Sequence, residues 1–119
     1  MLKLKYLALI PARGGSKGVK NKNIRLVDGK PLISYTINTA KKSECFEDIV
    51  VSTDSEEIAG IAREYGASVP FTRPAELSDD KTKSIDVVIH TLEILGKDYD
   101  AVCFLQPTSP LRKVEDIKE

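Results

Sequence analysis

The side chains with chemical capacity concentrate in one stretch, Leu9-Ile10-Pro11-Ala12-Arg13-Gly14-Gly15-Ser16-Lys17-Gly18-Val19-Lys20-Asn21-Lys22-Asn23. An apolar segment, Tyr6 to Ile10, runs straight into a loop holding three glycines, one arginine and three lysines. Glycine lets main-chain N–H groups turn toward a ligand at close range, and the cations neutralise its charge. The combination suits several phosphates, so a nucleoside triphosphate is the ligand these residues suggest. Neither common phosphate loop is present. Walker A ends in Gly-Lys-Ser/Thr, whereas Val19 follows Gly18; the dinucleotide fingerprint needs glycine where Arg13 stands. A flexible basic surface loop is the plainer alternative.

The elements that must position this loop alternate strand and helix. Tyr6–Ile10 is apolar on both faces, as a covered parallel strand should be. Pro31 opens a helix at its first turn, with Leu32, Ile33, Ile37 and Ala40 as the apolar stripe. A second strand spans Asp48–Ser52. Thr53 and Asp54 each stand three residues before a glutamate, giving two overlapping capping boxes for a helix that buries Ile58, Ile61, Ala62 and Tyr65 and stops at Gly66. Ser68–Phe71 reads as a short edge strand because of Pro70. Thr72 to Lys83 reads as loop, and a third helix covers Ser84–Leu95, with Ile85, Val88, Ile89, Leu92 and Leu95 on one side and Gly96 after it. The last strand is Asp100–Leu105.

Repeated βα units imply an α/β fold: a three-layer, Rossmann-like, mainly parallel sheet with helices on both faces. Ligands of such sheets bind beyond the carboxyl ends of the strands, near a topological switch point. The polar segments Arg13–Asn23, Thr53-Asp54 and Gln106–Arg112 all fall on that edge.

The chain has 119 residues, 41% of them hydrophobic, which is enough for one domain spanning 1–119 with its own core. Eighteen basic and eighteen acidic residues cancel, which disfavours a general nucleic-acid or membrane-surface partner. Positive charge gathers between Arg13 and Lys30, the distribution expected for a small anionic ligand. Cys45 and Cys103 fit no disulfide framework or zinc spacing, and no apolar run approaches the ~20 residues of a membrane span, so a reduced cytoplasmic setting is expected. The apolar last strand wants a neighbour on each side, and Lys113–Glu119 reads as the start of a helix, so the chain is expected to be the front part of a larger domain.

Four segments taken together resemble the cytidylyltransferases that activate acidic nine-carbon sugars, the CMP-sialic acid synthetases. They are Pro11-Ala12-Arg13-Gly14-Gly15-Ser16-Lys17-Gly18 with Lys22-Asn23, Val51-Ser52-Thr53-Asp54, Arg73-Pro74-Ala75-Glu76-Leu77, and Leu105-Gln106-Pro107-Thr108-Ser109-Pro110-Leu111-Arg112. The resemblance implies a nucleotidyltransferase fold and transfer of CMP from CTP to N-acetylneuraminate with release of pyrophosphate. It implies Arg13, Lys17 and Lys22 as catalytic cations. Arg13, Gly14, Gly15, Ser16, Lys17, Asn23, Arg73, Thr82 and Ser84 are the implied nucleotide contacts, and Gln106 the sugar contact. The family usually has serine where Thr82 stands. Mg²⁺ is the implied cofactor, but its aspartates belong to a second half of the family sequence, so no metal ligand is assigned here, and this piece alone is expected to turn over little. A homodimer is implied for the full-length protein. A pseudaminate or legionaminate cytidylyltransferase, or a non-catalytic nucleotide-binding module, is the alternative.

Several residues have plainer roles open to them. Arg13 could pair with a carboxylate, Asp54 could cap a helix, and Thr82 and Ser84 could cap the next. Arg73 could be an exposed arginine in a rigid turn before Pro74. Lys20, Lys30 and Arg112 read as surface cations, Cys103 as a small buried hydrophobe, and His90 as an exposed helix residue.

Overall fold

The first strand, β1 (Tyr6–Pro11), is apolar throughout, and Leu7, Ala8, Leu9 and Ile10 are all fully buried. A strand with no polar face needs cover on both sides and a partner along each edge. β1 has both. In the computed structural model, which describes residues 4–16, 19–20, 26–74, 77–78 and 82–106, β1 is the middle strand of a parallel sheet. Asp48–Ser52 (β6) lies on one side, in register from Leu7↔Asp48 to Pro11↔Ser52. Ala101–Phe104 (β7) lies on the other, from Tyr6↔Ala101 to Leu9↔Phe104.

Period-two alternation sends successive β1 side chains to opposite layers. Ala8 and Ile10 join Val51 and pack with Ile33, Ile37 and Ala40 of α1 (Leu32–Ser43) and with Ile58 and Ala62 of α2 (Glu56–Glu64). Leu7 and Leu9 join Val50 and meet Val87, Val88 and Leu92 of α3 (Ser84–Leu95). This is the expected α/β sandwich of three layers. Among the described residues no helix is long and apolar enough to cross a membrane.

Several local expectations change. The glycine loop itself holds an antiparallel strand pair, β2 (Gly15–Ser16) with β3 (Val19–Lys20), and a second, β4 (Leu26–Val27) with β5 (Lys30–Pro31), precedes α1. Asp28 and Gly29 turn β4 into β5 with φ of 52° and 80°, the doubly left-handed turn that Asp-Gly favours. Pro31 is therefore the residue before α1, with the Tyr35 hydroxyl donating to the Val27 carbonyl to seat the hairpin on the helix. The edge strand expected over Ser68–Phe71 reduces to one parallel bridge, Val50↔Ser68; Pro70 has no N–H with which to extend it.

α3 has its expected ends, and Gly96 (φ 62°) donates to the Leu92 carbonyl. Its buried line, however, runs through Val87 and Thr91, while Ile85 and Ile89 are 57% and 48% exposed. The Thr91 hydroxyl can be buried because it donates to the Val87 carbonyl at 2.9 Å. This rotation also brings His90 to half-burial, edge-on to Phe71 with ring centroids 4.9 Å apart, rather than into solvent.

At the far end of the sheet, Asp48 accepts from the Tyr99 hydroxyl (2.5 Å) and from Lys97 Nζ (3.1 Å). The Tyr99 hydrogen bond outweighs partial burial and holds the Asp48 carboxyl below its ordinary range. Burial, reinforced by that bond, pushes the Tyr99 phenol upward. Cys45 and Cys103 are free thiols, both half-buried, and Cys103 packs on the core of the α1–α2 layer.

Candidate functional site

The chain leaves β1 for β6 on one side and reaches β7 on the other, so β1 marks the switch point of this sheet. Two main-chain bonds carry the pairing one step further: Ala12 N–H donates to the Ser52 carbonyl and Leu105 N–H to the Leu9 carbonyl, both at 2.9 Å. Arg13 and Gly14 follow directly at the mouth of the crevice.

Gly14 N–H donates to Asp54 Oδ1 at 2.8 Å. A Cβ on Gly14 would lie 2.9 Å from Ser55 Cβ, so the turn after β1 rests on the start of α2 with no room for a side chain. The helix itself is capped by Ser55, whose Oγ accepts from Ile58 N–H at 3.2 Å. Neither capping box expected at Thr53 and Asp54 forms. Thr53 Oγ1 accepts from Ser55 N–H instead, and Asp54 reaches across to the glycine turn. One residue further along the chain was a better cap because β6 continues straight through Ser52 before bending.

Arg73 is 3% exposed, not a surface arginine. Its Nε donates to Ser52 Oγ (3.0 Å), one terminal nitrogen to the Ser52 carbonyl (2.6 Å) and the other to the Leu77 carbonyl (3.2 Å), while its own N–H donates to the Thr53 carbonyl. Arg13 donates to the next carbonyl, that of Ser78, at 3.4 Å. Both guanidinium groups thus grip the same short loop over the end of β6. Burial pulls the Arg73 pKa down, the Asp54 carboxylate opposes this, and the Arg13 charge adds to it. Arginine retains its proton under such pressure, so the Arg13 and Arg73 cations share this edge with the Asp54 carboxylate. A fork with five N–H donors still has capacity for a further acceptor after three bonds.

The structure thus brings Arg13, Gly14 and Arg73 together, with Asp54 joining them. The Asp54 link to Gly14 was missed from sequence, and no local spacing announces it, since the partners are 40 residues apart. Gly15 and Ser16 continue from the turn as β2, paired Gly15↔Lys20 and Ser16↔Val19, so the glycine loop is partly laddered rather than open. Gln106 is exposed just beyond β7 on the same edge as Arg13. Thr82 is half-buried ahead of α3, and Ser84 is the exposed first residue of α3. Neither is its cap: Lys83 holds that position, its N–H donating to Asp86 Oδ2 at 3.3 Å. Lys17, Lys22 and Asn23 lie outside the described residues, as does Arg112.

Among the described residues no three His, Cys, Asp or Glu side chains gather as a metal site, and Asp54 is hydrogen-bonded to the main chain. Mg²⁺ takes one or two carboxylates together with substrate phosphates. The described side chains alone do not amount to such a site.

The parallel sheet between two helix layers, with an arginine-glycine turn at its switch point, is a Rossmann-like α/β fold. A solved structure of CMP:2-keto-3-deoxy-manno-octonic acid synthetase complexed with CTP has the same fold, with a TM-score of 0.80 at 23% identity over 96% of this chain and 44% of that one. The chain belongs to the cytidylyltransferase family, which it matches over residues 7–119. It is 50% identical over 118 residues to a CMP-N,N'-diacetyllegionaminic acid synthase from Legionella pneumophila, covering 97% of this chain and 51% of that protein. It is 47% identical over 118 residues to an N-acylneuraminate cytidylyltransferase from Escherichia coli, covering 99% and 28%. The chain therefore spans about half the length of the first relative and just over a quarter of the second.

Proposed function

We propose that this chain is the nucleotide-binding portion of an enzyme that transfers CMP from CTP to an acidic nonulosonic sugar. The anomeric hydroxyl oxygen attacks the α-phosphorus and gives up its proton to water, the bond from that phosphorus to the bridging oxygen breaks, and pyrophosphate departs with the electron pair. Negative charge grows on the phosphoryl oxygens and leaving group, so catalysis rests on fixed cations and in-line placement. Arg13 and Lys17 meet the phosphoryl oxygens in this reading, and Lys22 the leaving group. Gly15 and Ser16 continue the turn around the phosphates. Asn23, Arg73, Thr82 and Ser84 contact the nucleotide, and Gln106 the sugar. Mg²⁺ held by aspartates outside these residues would supply further charge neutralisation. A cytoplasmic setting and a homodimeric full-length protein complete this reading.

The observation that carries the reading is the Arg13-Gly14 turn at the switch point beside β6 and β7, on a chain of cytidylyltransferase family. N-acetylneuraminate is the acceptor we favour from the sequence motifs. N,N'-diacetyllegionaminate is the second reading, supported by the name of the relative at 50% identity. The test is pyrophosphate release from CTP and Mg²⁺ with each acid supplied separately, beside calorimetric titration with CTP alone. Release with one acid fixes the sugar. Because this piece alone is expected to turn over little, CTP binding without release identifies a nucleotide-binding module only where it persists in a chain extended through the family's second half, and absence of CTP binding removes both readings.

A further inference from the structure

We propose that Asp54 is a positioning residue that anchors the glycine turn through the Gly14 amide. Gly14 N–H then serves the turn and is not among the amides open to phosphate. The inference rests on the reading that this turn binds CTP, and it deepens that reading by separating anchor from ligand contact.

Four observations support it. The Asp54 carboxylate is exposed and stands beside the N-terminus of α2, where its natural use would be to cap that helix. Ser55 does the capping instead, and Asp54 accepts from Gly14 at 2.8 Å, bridging two strand ends that are distant in sequence. The two segments are pressed together, since even a methyl group on Gly14 would strike Ser55. Finally, the Asp54 charge acts on the buried Arg73 against the Arg13 charge, so the same carboxylate that holds the turn balances the cations on either side of it. A charge-assisted bond from a carboxylate to a main-chain N–H is among the stronger single contacts a protein makes.

Asparagine can accept in the same place through its Oδ1, whereas alanine cannot. The experiment compares wild type, Asp54→Asn and Asp54→Ala in the full chain, reading Gly14 amide hydrogen exchange by NMR and CTP affinity by calorimetry. Expected for Asp54→Ala is exchange at Gly14 faster by about tenfold or more, with CTP Kd raised roughly 5–30-fold. Asp54→Asn should hold both within about threefold of wild type, because the acceptor survives. Ser55→Ala provides the contrast: it removes the α2 cap and lowers stability while leaving Gly14 protected. Should Asp54→Ala fail to fold, Asp54→Ser, whose hydroxyl is too short to reach Gly14, is read in the same way. Unchanged Gly14 protection in Asp54→Ala overturns the proposal, as does wild-type CTP affinity. Tighter CTP binding in either variant also overturns it, by marking Asp54 as an anion competing with the triphosphate. If wild type itself binds no CTP, the proposed function fails, and the exchange measurement still decides whether Asp54 holds the turn.

Discussion

Replacing Gly14 by alanine tests the contact between the glycine turn and α2 directly. The added Cβ would sit 2.9 Å from Ser55 Cβ, 3.5 Å from Ser55 Oγ and 3.6 Å from Asp54 Oδ1. Apolar carbons rest at roughly 3.5–4.0 Å, so one segment must yield by about 0.6 Å or more. Ser55 is held by its bond from Ile58 N–H and by its own N–H to Thr53, which leaves the turn as the part that moves. Movement of that size stretches the 2.8 Å bond from Gly14 to Asp54 toward about 3.4 Å and weakens it. Overpacking costs about 1–3 kcal/mol, and loss of a hydrogen bond to a charged group costs about 1.5–3 kcal/mol when complete. These are alternative ways of relieving one clash, so they do not add, and Gly14→Ala should lose about 1–3 kcal/mol of stability. Urea unfolding should show a lower midpoint at unchanged slope. Calorimetry with CTP should show weaker binding by a similar amount, because the turn has moved. A midpoint and a CTP affinity both equal to wild type would refute the packing argument and, with it, the claim that the glycine is there for closeness.

Other perturbations follow from single features. Arg13→Ala should weaken CTP binding by about 1.5–3 kcal/mol, read by calorimetry; Arg73→Lys, which loses a buried fork onto Ser52 and Leu77, should instead cost about 2 kcal/mol or more in urea unfolding. Gly60→Ala should stabilise by about 0.5–1 kcal/mol, since Gly60 lies inside α2 and a Cβ there meets nothing within 4 Å. Asp48 has a lowered pKa in the folded chain, so its contribution is present above the unfolded value of about 3.8 and vanishes as pH falls through the lower folded value. The stability gap between wild type and Asp48→Asn should therefore shrink on going from pH 6 toward pH 2, and Tyr99→Phe should reduce that pH dependence because it removes the leading cause of the shift.

The sequence made the frame of this fold legible because its signals are local. Tyr6–Ile10, with no polar face, had to be an inner strand. Asp48–Ser52 and Ser84–Leu95 are bounded by residues whose conformational preferences mark ends, Gly96 among them. What escaped was decided by tertiary contact. α3 carries apolar residues on more than one face, and only the position of Phe71 and β1 selects Val87 and Thr91 over Ile85 and Ile89. Ser55 rather than Thr53 or Asp54 caps α2, since three adjacent cap formers differ only in where the strand ahead of them ends. The Asp28-Gly29 hairpin was readable and was overlooked beneath the glycine loop that precedes it. At the site, Arg13 and Gly14 could be named from type and spacing, but the burial of Arg73 and the reach of Asp54 depend on a loop that folds back over β6, which no periodicity encodes.

The placement of β1 between two late partners has a kinetic side. Tyr6 pairs with Ala101, and Leu7 with Asp48, so once β1 is synthesised nearly a hundred further residues must follow before both its edges are covered. Non-local pairing of this kind is slow and exposes sticky backbone meanwhile. The turn that follows β1 inherits the delay: it takes its shape when β6 and the Asp54 segment arrive, so nascent chains shorter than that point should carry no ligand-competent turn.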